Sequence, residues 1–336
     1  MSISSHTQAL ATRKKTNYLR TLAVYLVLIA LLYFAFRNAP LAEIWAAISR
    51  LTLAQVAVLA LINIAIYLLI TMRWWIIVRT MDRSIFYFPL VLVRLAVFGI
   101  SYFTLGPQVG GEPLQVLYLQ RNYGMTYTRA TSTVILDKLL EFLANFFLLV
   151  IGLTAIVQAG VLSTNASNPL VGLIPMAAIL LWPFIHILLM IRGVYPVAAA
   201  LRAAFPKSTH KKWIRFIIVS ERLAGMFCQR NPRALWAAAA ASLLAGAGMV
   251  SEYIFITSFL GIDLQIWQTV AAWTTSWLAF LVPLPGGLGS LEASQVFTLG
   301  AFGIPASLAI GVTLLIRARD LLVGGLGLLL AARGVK

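Results

Sequence analysis

Acid, cysteine and histidine are all scarce in this chain. Of 336 residues, ten are Asp or Glu, three are His and one is Cys. A lone cysteine, Cys228, excludes an intrachain disulfide and a cysteine-based metal cluster. The histidines, His6, His186 and His210, form no spaced set, so neither a metal site nor a Ser/His/Asp triad is expected. No Walker A sequence is present, which argues against an ATP-driven pump in this chain. The 37–52 segment holds a single acid, Glu43, too little for a two-carboxylate, metal-dependent transfer site. The expectation is a protein without metal or cofactor that is not an enzyme. Charged residues make up 11% of the chain, about half the share in a soluble domain, which excludes a soluble core as the main structure.

What fills the chain instead is apolar sequence, 61% of it. Residues 53–72, 169–191 and 264–282 carry no Asp, Glu, Lys or Arg. Each is long enough, at about 1.5 Å per residue, to cross a hydrocarbon layer of about 30 Å. Backbone groups in lipid must be bonded internally, which leaves helices or a closed barrel. Long apolar runs without alternation exclude the barrel. The fold class is therefore all-α, a polytopic integral membrane protein.

The net charge of +16 invites a nucleic-acid reading. The bases cluster between apolar runs, as the positive-inside rule requires, so no nucleic-acid partner is expected. Spans are predicted at 19–36, 53–72, 128–157, 169–191, 234–260 and 304–332. The second extends past Arg73-Trp74-Trp75, read as an interfacial belt facing the cytoplasm. Residues 88–121 and 264–303 break at Pro and Gly and read as re-entrant hairpins. About six spans and two hairpins place both termini and the basic 192–233 loop in the cytoplasm. The apolar stretch after Lys15 reads as an uncleaved anchor. Within the loop, residues 207–230 are predicted to form an amphipathic helix on the anionic inner leaflet. Trp213, Phe216, Ile217, Ser220, Leu223, Ala224 and Phe227 share its apolar face; Lys211, Lys212, Arg215 and Arg222 lie mostly elsewhere.

The two hairpins carry one motif twice. The first contains Pro107, Gly110, Gly111 and Glu112; the second contains Pro285, Gly286, Gly287, Gly289 and Glu292. Gln-Val follows each glutamate at the third and fourth positions, then an aromatic-Gly pair, Tyr123-Gly124 or Phe302-Gly303. Fourteen residues past each glycine stands a base, Lys138 or Arg317, and three further on an acid, Glu141 or Asp320. Under the charge-based topology the halves, about 19–157 and 200–332 of a single domain, are inverted repeats. Broken segments in matching halves are the pattern of a transporter with its site between them.

A spacing of three puts Lys138 with Glu141, and Arg317 with Asp320, on one helix face near mid-membrane. Charges there are costly unless paired and mark function by default; the alternative is a self-neutralised packing device. Asp137 and Arg319 add charge at the same level. Glu112 and Glu292 either cap the short helices that follow them or line an anion path with the glycines; the two roles coexist readily. Arg94 faces either phosphate or the cytoplasmic surface, and Glu252 is a candidate partner for one of the bases. Tyr102, Phe103, Trp273 and Trp277 flank the hairpins, where packing is the commoner role.

The Gly-Gly-Glu hairpin, the run Leu136-Asp137-Lys138-Leu139-Leu140-Glu141 and the stretch from Pro283 to Glu292 resemble the flippase-like membrane region of lysylphosphatidylglycerol synthases, the multiple peptide resistance factor. The resemblance covers about 20–332. It implies a prokaryotic plasma-membrane protein that moves a lipid between leaflets, here a member without the soluble aminoacyltransferase domain. The function expected is a lipid flippase or transporter for phosphate-containing lipids. The alternatives are a non-transporting subunit of a glycolipid, isoprenoid or hopanoid pathway and, third, a membrane-embedded transferase. Expected partners are lipids with anionic or zwitterionic headgroups, the anionic inner-leaflet surface and, for assembly, a homodimer.

Overall fold

The computed structural model describes residues 45–46, 49–104, 110–159, 181–206, 211–282 and 287–333. The expected first span, residues 160–168 of the next connection, the start of the 169–191 span, Pro107, Pro285 and Gly286 lie outside them. Every regular element among the described residues is helical.

Helix α1 (Leu53–Met81) opens on a capping box between Thr52 and Gln55 and, at 29 residues, is about 43 Å long. It runs unbroken past the expected end of its span. Helix α2 (Tyr87–Phe103) leads into the first Pro/Gly break, and α3 (Glu112–Tyr123) follows it. Helix α4 (Tyr127–Gln158) is the longest. Helices α5 (Leu181–Ile191) and α6 (Pro196–Ala204) are bent by 95° at the break between them. Helix α7 (Lys212–Arg230) precedes α8 (Pro232–Phe259). Helices α9 (Ile266–Ala279), α10 (Ser290–Ala301) and α11 (Ala306–Ala332) complete the set.

Among these, α1, α4 and α8 are long and apolar enough to cross a membrane, and a fourth crossing results if α5 and α6 form one broken span. Helix α11 has 27 residues, but Arg317, Arg319 and Asp320 sit in its middle. Helices α3 and α10 have 12 residues each, about 18 Å, too short to cross.

The aromatic-Gly pairs have a physical role. Gly124 (φ 63°) and Gly303 (φ 81°) take the left-handed conformation that ends α3 and α10 and turns the chain into the next long helix.

Packing follows one pattern in both halves. Helix α1 lies along α8, α2 along α11, and α9 along α4, while α3 and α10 pack on the long helices that follow them. Each half thus lays its first hairpin arm against the other half's long helix. Close approach of α2 and α11 depends on glycine. A Cβ on Gly99 would lie 2.6 Å from both Gly324 O and Leu328 N, a small-residue contact of the kind that joins membrane helices.

Helix α7 departs from the sequence reading. Ile214, Ser220, Glu221, Ala224, Phe227 and Cys228 are buried, and Ala224, Phe227 and Cys228 pack with Leu136 and Leu140 of α4. The buried stripe is therefore a protein contact, centred away from Trp213, which is exposed. A spacing of three and four residues aligns a stripe with whatever apolar surface is nearest, protein or lipid. Lys211, Lys212, Arg215 and Arg222 are exposed, as expected.

Candidate functional site

A cavity of about 230 Å³ lies between the two halves. Its charged lining comes from both: Arg73, Arg94, Glu112, Lys138 and Glu141 from the first, Glu252, Arg319 and Asp320 from the second. Trp273, Trp277 and Phe280 supply much of its apolar wall.

On the first side, α4 presents Asp137, Lys138 and Glu141. Lys138 Nζ is 3.1 Å from Glu141 Oε1, the expected pair, and 3.1 Å from Glu112 Oε1 at the start of α3. Glu112 also accepts from Gly110 N–H (2.7 Å), so it closes its own turn while pairing with α4. Gly111 N–H donates to Ser101 Oγ at 2.9 Å and ties the break to α2. Arg94 of α2 binds Asp137 (2.8 Å) and Glu141 (3.3 Å) and is 6% exposed. Snorkelling to the surface is thereby excluded, because both carboxylates hold the guanidinium inside.

Sequence reasoning misplaced Arg73. It is 2% exposed, donates to Asp137 at 2.6 Å and Glu141 at 2.8 Å, and reaches Ser242 Oγ of α8 at 3.2 Å. Trp74 beside it is fully buried, so Arg73 and Trp74 do not face an interface. Two carboxylates across the helix interface make burial of this base favourable. The signal was present: α4 carries two acids and one base at one level, and the excess needs a base from another helix.

On the second side the pairing differs from the spacing argument. Arg317 binds Glu292 through two nitrogens, one at 2.8 Å, and reaches Gly287 O at 3.2 Å. Asp320 pairs instead with Arg319, at 2.8 Å, and Arg319 also binds Glu252. Residues two apart on a helix point about 200° apart. Arg317 therefore turns to the hairpin and Arg319 to the cavity. Asn63 of α1, also missed from sequence, donates to Glu252 Oε1 at 2.8 Å. Gly289 N–H donates to Glu292 at 3.0 Å, the counterpart of the Gly110 contact. Gly286 lies outside the described residues.

The two copies of the motif thus make matching contacts. Glu112–Lys138 and Glu292–Arg317 each join a short hairpin helix to the long helix after it. Gln295, in the second copy, accepts from Tyr253 at 2.5 Å and donates to Ala272 O at 3.0 Å. Its counterpart Gln115 is buried with neither amide atom bonded among the described residues.

A second chamber, of about 950 Å³, is lined mainly by apolar residues including Val134, Leu139, Phe142, Phe146 and Trp182. Glu112 and Lys138 line both chambers. Glu221, also in its lining, accepts from the N–H groups of Val197 (2.9 Å) and Ala198 (2.6 Å), capping α6, and contacts His186 Nε2 at 2.9 Å. Burial alone would raise the Glu221 carboxyl, but the bonds from His186, Val197 and Ala198 outweigh it and hold the group below its ordinary value. No group of three or more metal-ligating side chains occurs among the described residues.

No curated protein and no solved structure matches the chain. Residues 21–327 match the family described as the lysylphosphatidylglycerol synthase TM region. With nearly the whole chain covered, and two hairpin glutamates paired alike to the helices behind them, this protein belongs to the lysylphosphatidylglycerol synthase transmembrane-region family.

Proposed function

We propose that the protein carries a phosphate-containing lipid between membrane leaflets. One observation supports this above the others: a charged cavity between the halves adjoins an apolar chamber, with Glu112 and Lys138 in the wall of both. A lipid has the matching division, a charged head and apolar tails. The tails lie against Phe142, Phe146 and Leu139 while the headgroup meets Lys138.

The phosphate competes with carboxylates for the bases. Lys138 is held by Glu112 and Glu141, and both its chambers are within its reach. A phosphate displaces Glu112 from Lys138, exchanging one charge-assisted contact for another of similar strength. That exchange frees α3 from α4 and couples headgroup arrival to hairpin movement. The topology that goes with this reading has about six spans, two re-entrant hairpins, inverted halves and cytoplasmic termini, with the site at the repeat interface.

The test is leaflet-resolved movement of a panel of labelled lipids by purified protein in liposomes. Faster movement of phosphate-bearing lipids than in protein-free vesicles supports transport. Saturable lipid binding with no change of leaflet favours the alternative, a subunit that presents a lipid without moving it.

A further inference from the structure

Among the described residues, the ion-pair network in and behind the cavity wall does not balance. Six of the chain's ten acids belong to it: Glu112, Asp137, Glu141, Glu252, Glu292 and Asp320. Among the described residues five bases pair with them: Arg73, Arg94, Lys138, Arg317 and Arg319. The first half's share of this network, three acids and three bases, is neutral. The shortfall lies in the second half, where Arg319 alone serves both Glu252 and Asp320.

Geometry shows which acid is short. Glu252 has a donor on each oxygen, Asn63 on Oε1 and Arg319 on Oε2. Asp320 Oδ1 accepts from Arg319 Nε at 2.8 Å and lies 2.8 Å from Arg319 Nη2. No donor among the described residues bonds Oδ2. The residue is 5% exposed and lines the cavity. The other ionisable groups around it are Tyr67 of α1, Tyr102 of α2, Glu252 of α8 and, on α11 itself, Arg317, while Arg94 of α2 lines the same cavity. Arg94 is committed to Asp137 and Glu141, and Arg317 to Glu292. An unmatched carboxylate at this depth is unfavourable, and a proton on Oδ2 removes the imbalance at once.

We propose that Asp320 Oδ2 is a proton-binding site and that lipid movement is coupled to its loading and release. The coupling rests on the transport reading; the proton site does not. The proton passes from water on one side to Oδ2 and from Oδ2 to water on the other, with no other bond made or broken. An anionic headgroup in the cavity adds negative charge beside Asp320 and favours the loaded form. The vacant cavity favours release.

The proton is measured directly by the infrared carbonyl stretch of a protonated carboxyl group, in detergent-solubilised protein at neutral pH. The expected result is one such group per protein, lost in Asp320→Asn and kept in Glu292→Gln. Asp320→Glu serves as a second variant, expected to retain a protonated carboxyl at a shifted frequency should Asp320→Asn fail to fold. A wild-type protein with every carboxylate ionised overturns the proposal and indicates that a cation, such as an ammonium headgroup, completes the site. So does a band that survives Asp320→Asn. In liposomes, a band without lipid movement keeps the proton site and contradicts transport. Lipid movement that ignores an imposed pH gradient contradicts the coupling alone.

Discussion

Glu112 and Lys138 form an ion pair across the boundary of two chambers, 3.1 Å apart, one at the start of a short hairpin helix and the other in the long helix behind it. If the pair holds α3 against α4, either neutralising change, Glu112→Gln or Lys138→Gln, lowers melting temperature in detergent. The reversal Glu112→Lys with Lys138→Glu recovers part of that loss. The expected coupling is about 0.5–3 kcal/mol. Equal loss in the single and reversed variants would show that the pair is incidental.

Arg73 carries a larger structural load. Replacing it with methionine keeps the volume of the stem and leaves Asp137 short of its closest base. Removing one partner of a buried pair costs about 3–5 kcal/mol. Arg73→Met is therefore expected to express poorly or to melt far below wild type, and Arg73→Met with Asp137→Asn to recover much of the difference. A fully stable single variant would contradict the burial of this network.

Two glycines of the same chain respond differently to alanine. At Gly124 nothing lies within 4 Å of an added Cβ, so the effect is only that of the left-handed backbone, about 1–2 kcal/mol. At Gly99 the added atom meets backbone of α11 at 2.6 Å. Backbone cannot rotate away as a side chain can, so α2 and α11 must separate. Gly99→Ala is expected to cost more than Gly124→Ala in thermal unfolding, and the reverse order would remove the close α2–α11 contact.

Glu221 gives a pH signature outside the spans. Its folded-state value lies below its unfolded one, so its contribution is fully present above the ordinary carboxylate range. The contribution declines as pH falls through that range toward the lowered folded-state value. Glu221→Gln also weakens the cap on α6, by roughly 1 kcal/mol. Melting temperatures measured from neutral to acid pH are expected to converge for wild type and variant at the acid end. A constant gap across the whole range would contradict the ionised cap.

Much of this architecture was legible because its determinants are local. The short hairpin helices, their glutamates and the glycines that end them lie within a few residues of one another. Lys138 and Glu141 share a helix face by spacing alone. The partner of Arg73 was not legible, because Asp137 is 64 positions away and sequence does not say which helices touch. Nor was the choice between Arg317 and Arg319. Both lie at one depth on α11, and only the rotation of that helix decides which one faces the cavity. What covers the buried part of the α7 face, Ser220, Ala224 and Phe227, was not legible for a related reason: an amphipathic stripe records apolar surroundings without saying whether they are lipid or protein.

The most direct test of the central claim is the initial rate of labelled lipid movement between leaflets in liposomes containing wild type or Lys138→Gln. The substitution removes the base in the wall of both chambers and leaves Glu141 its pairs with Arg73 and Arg94. If Lys138 reads the headgroup phosphate, the variant, though less stable, moves phosphate-bearing lipid about tenfold slower or worse, the loss of one charge-assisted hydrogen bond of roughly 1.5 kcal/mol. Equal rates in the two proteins, or a wild-type rate no higher than that of protein-free vesicles for every lipid tried, would contradict the account.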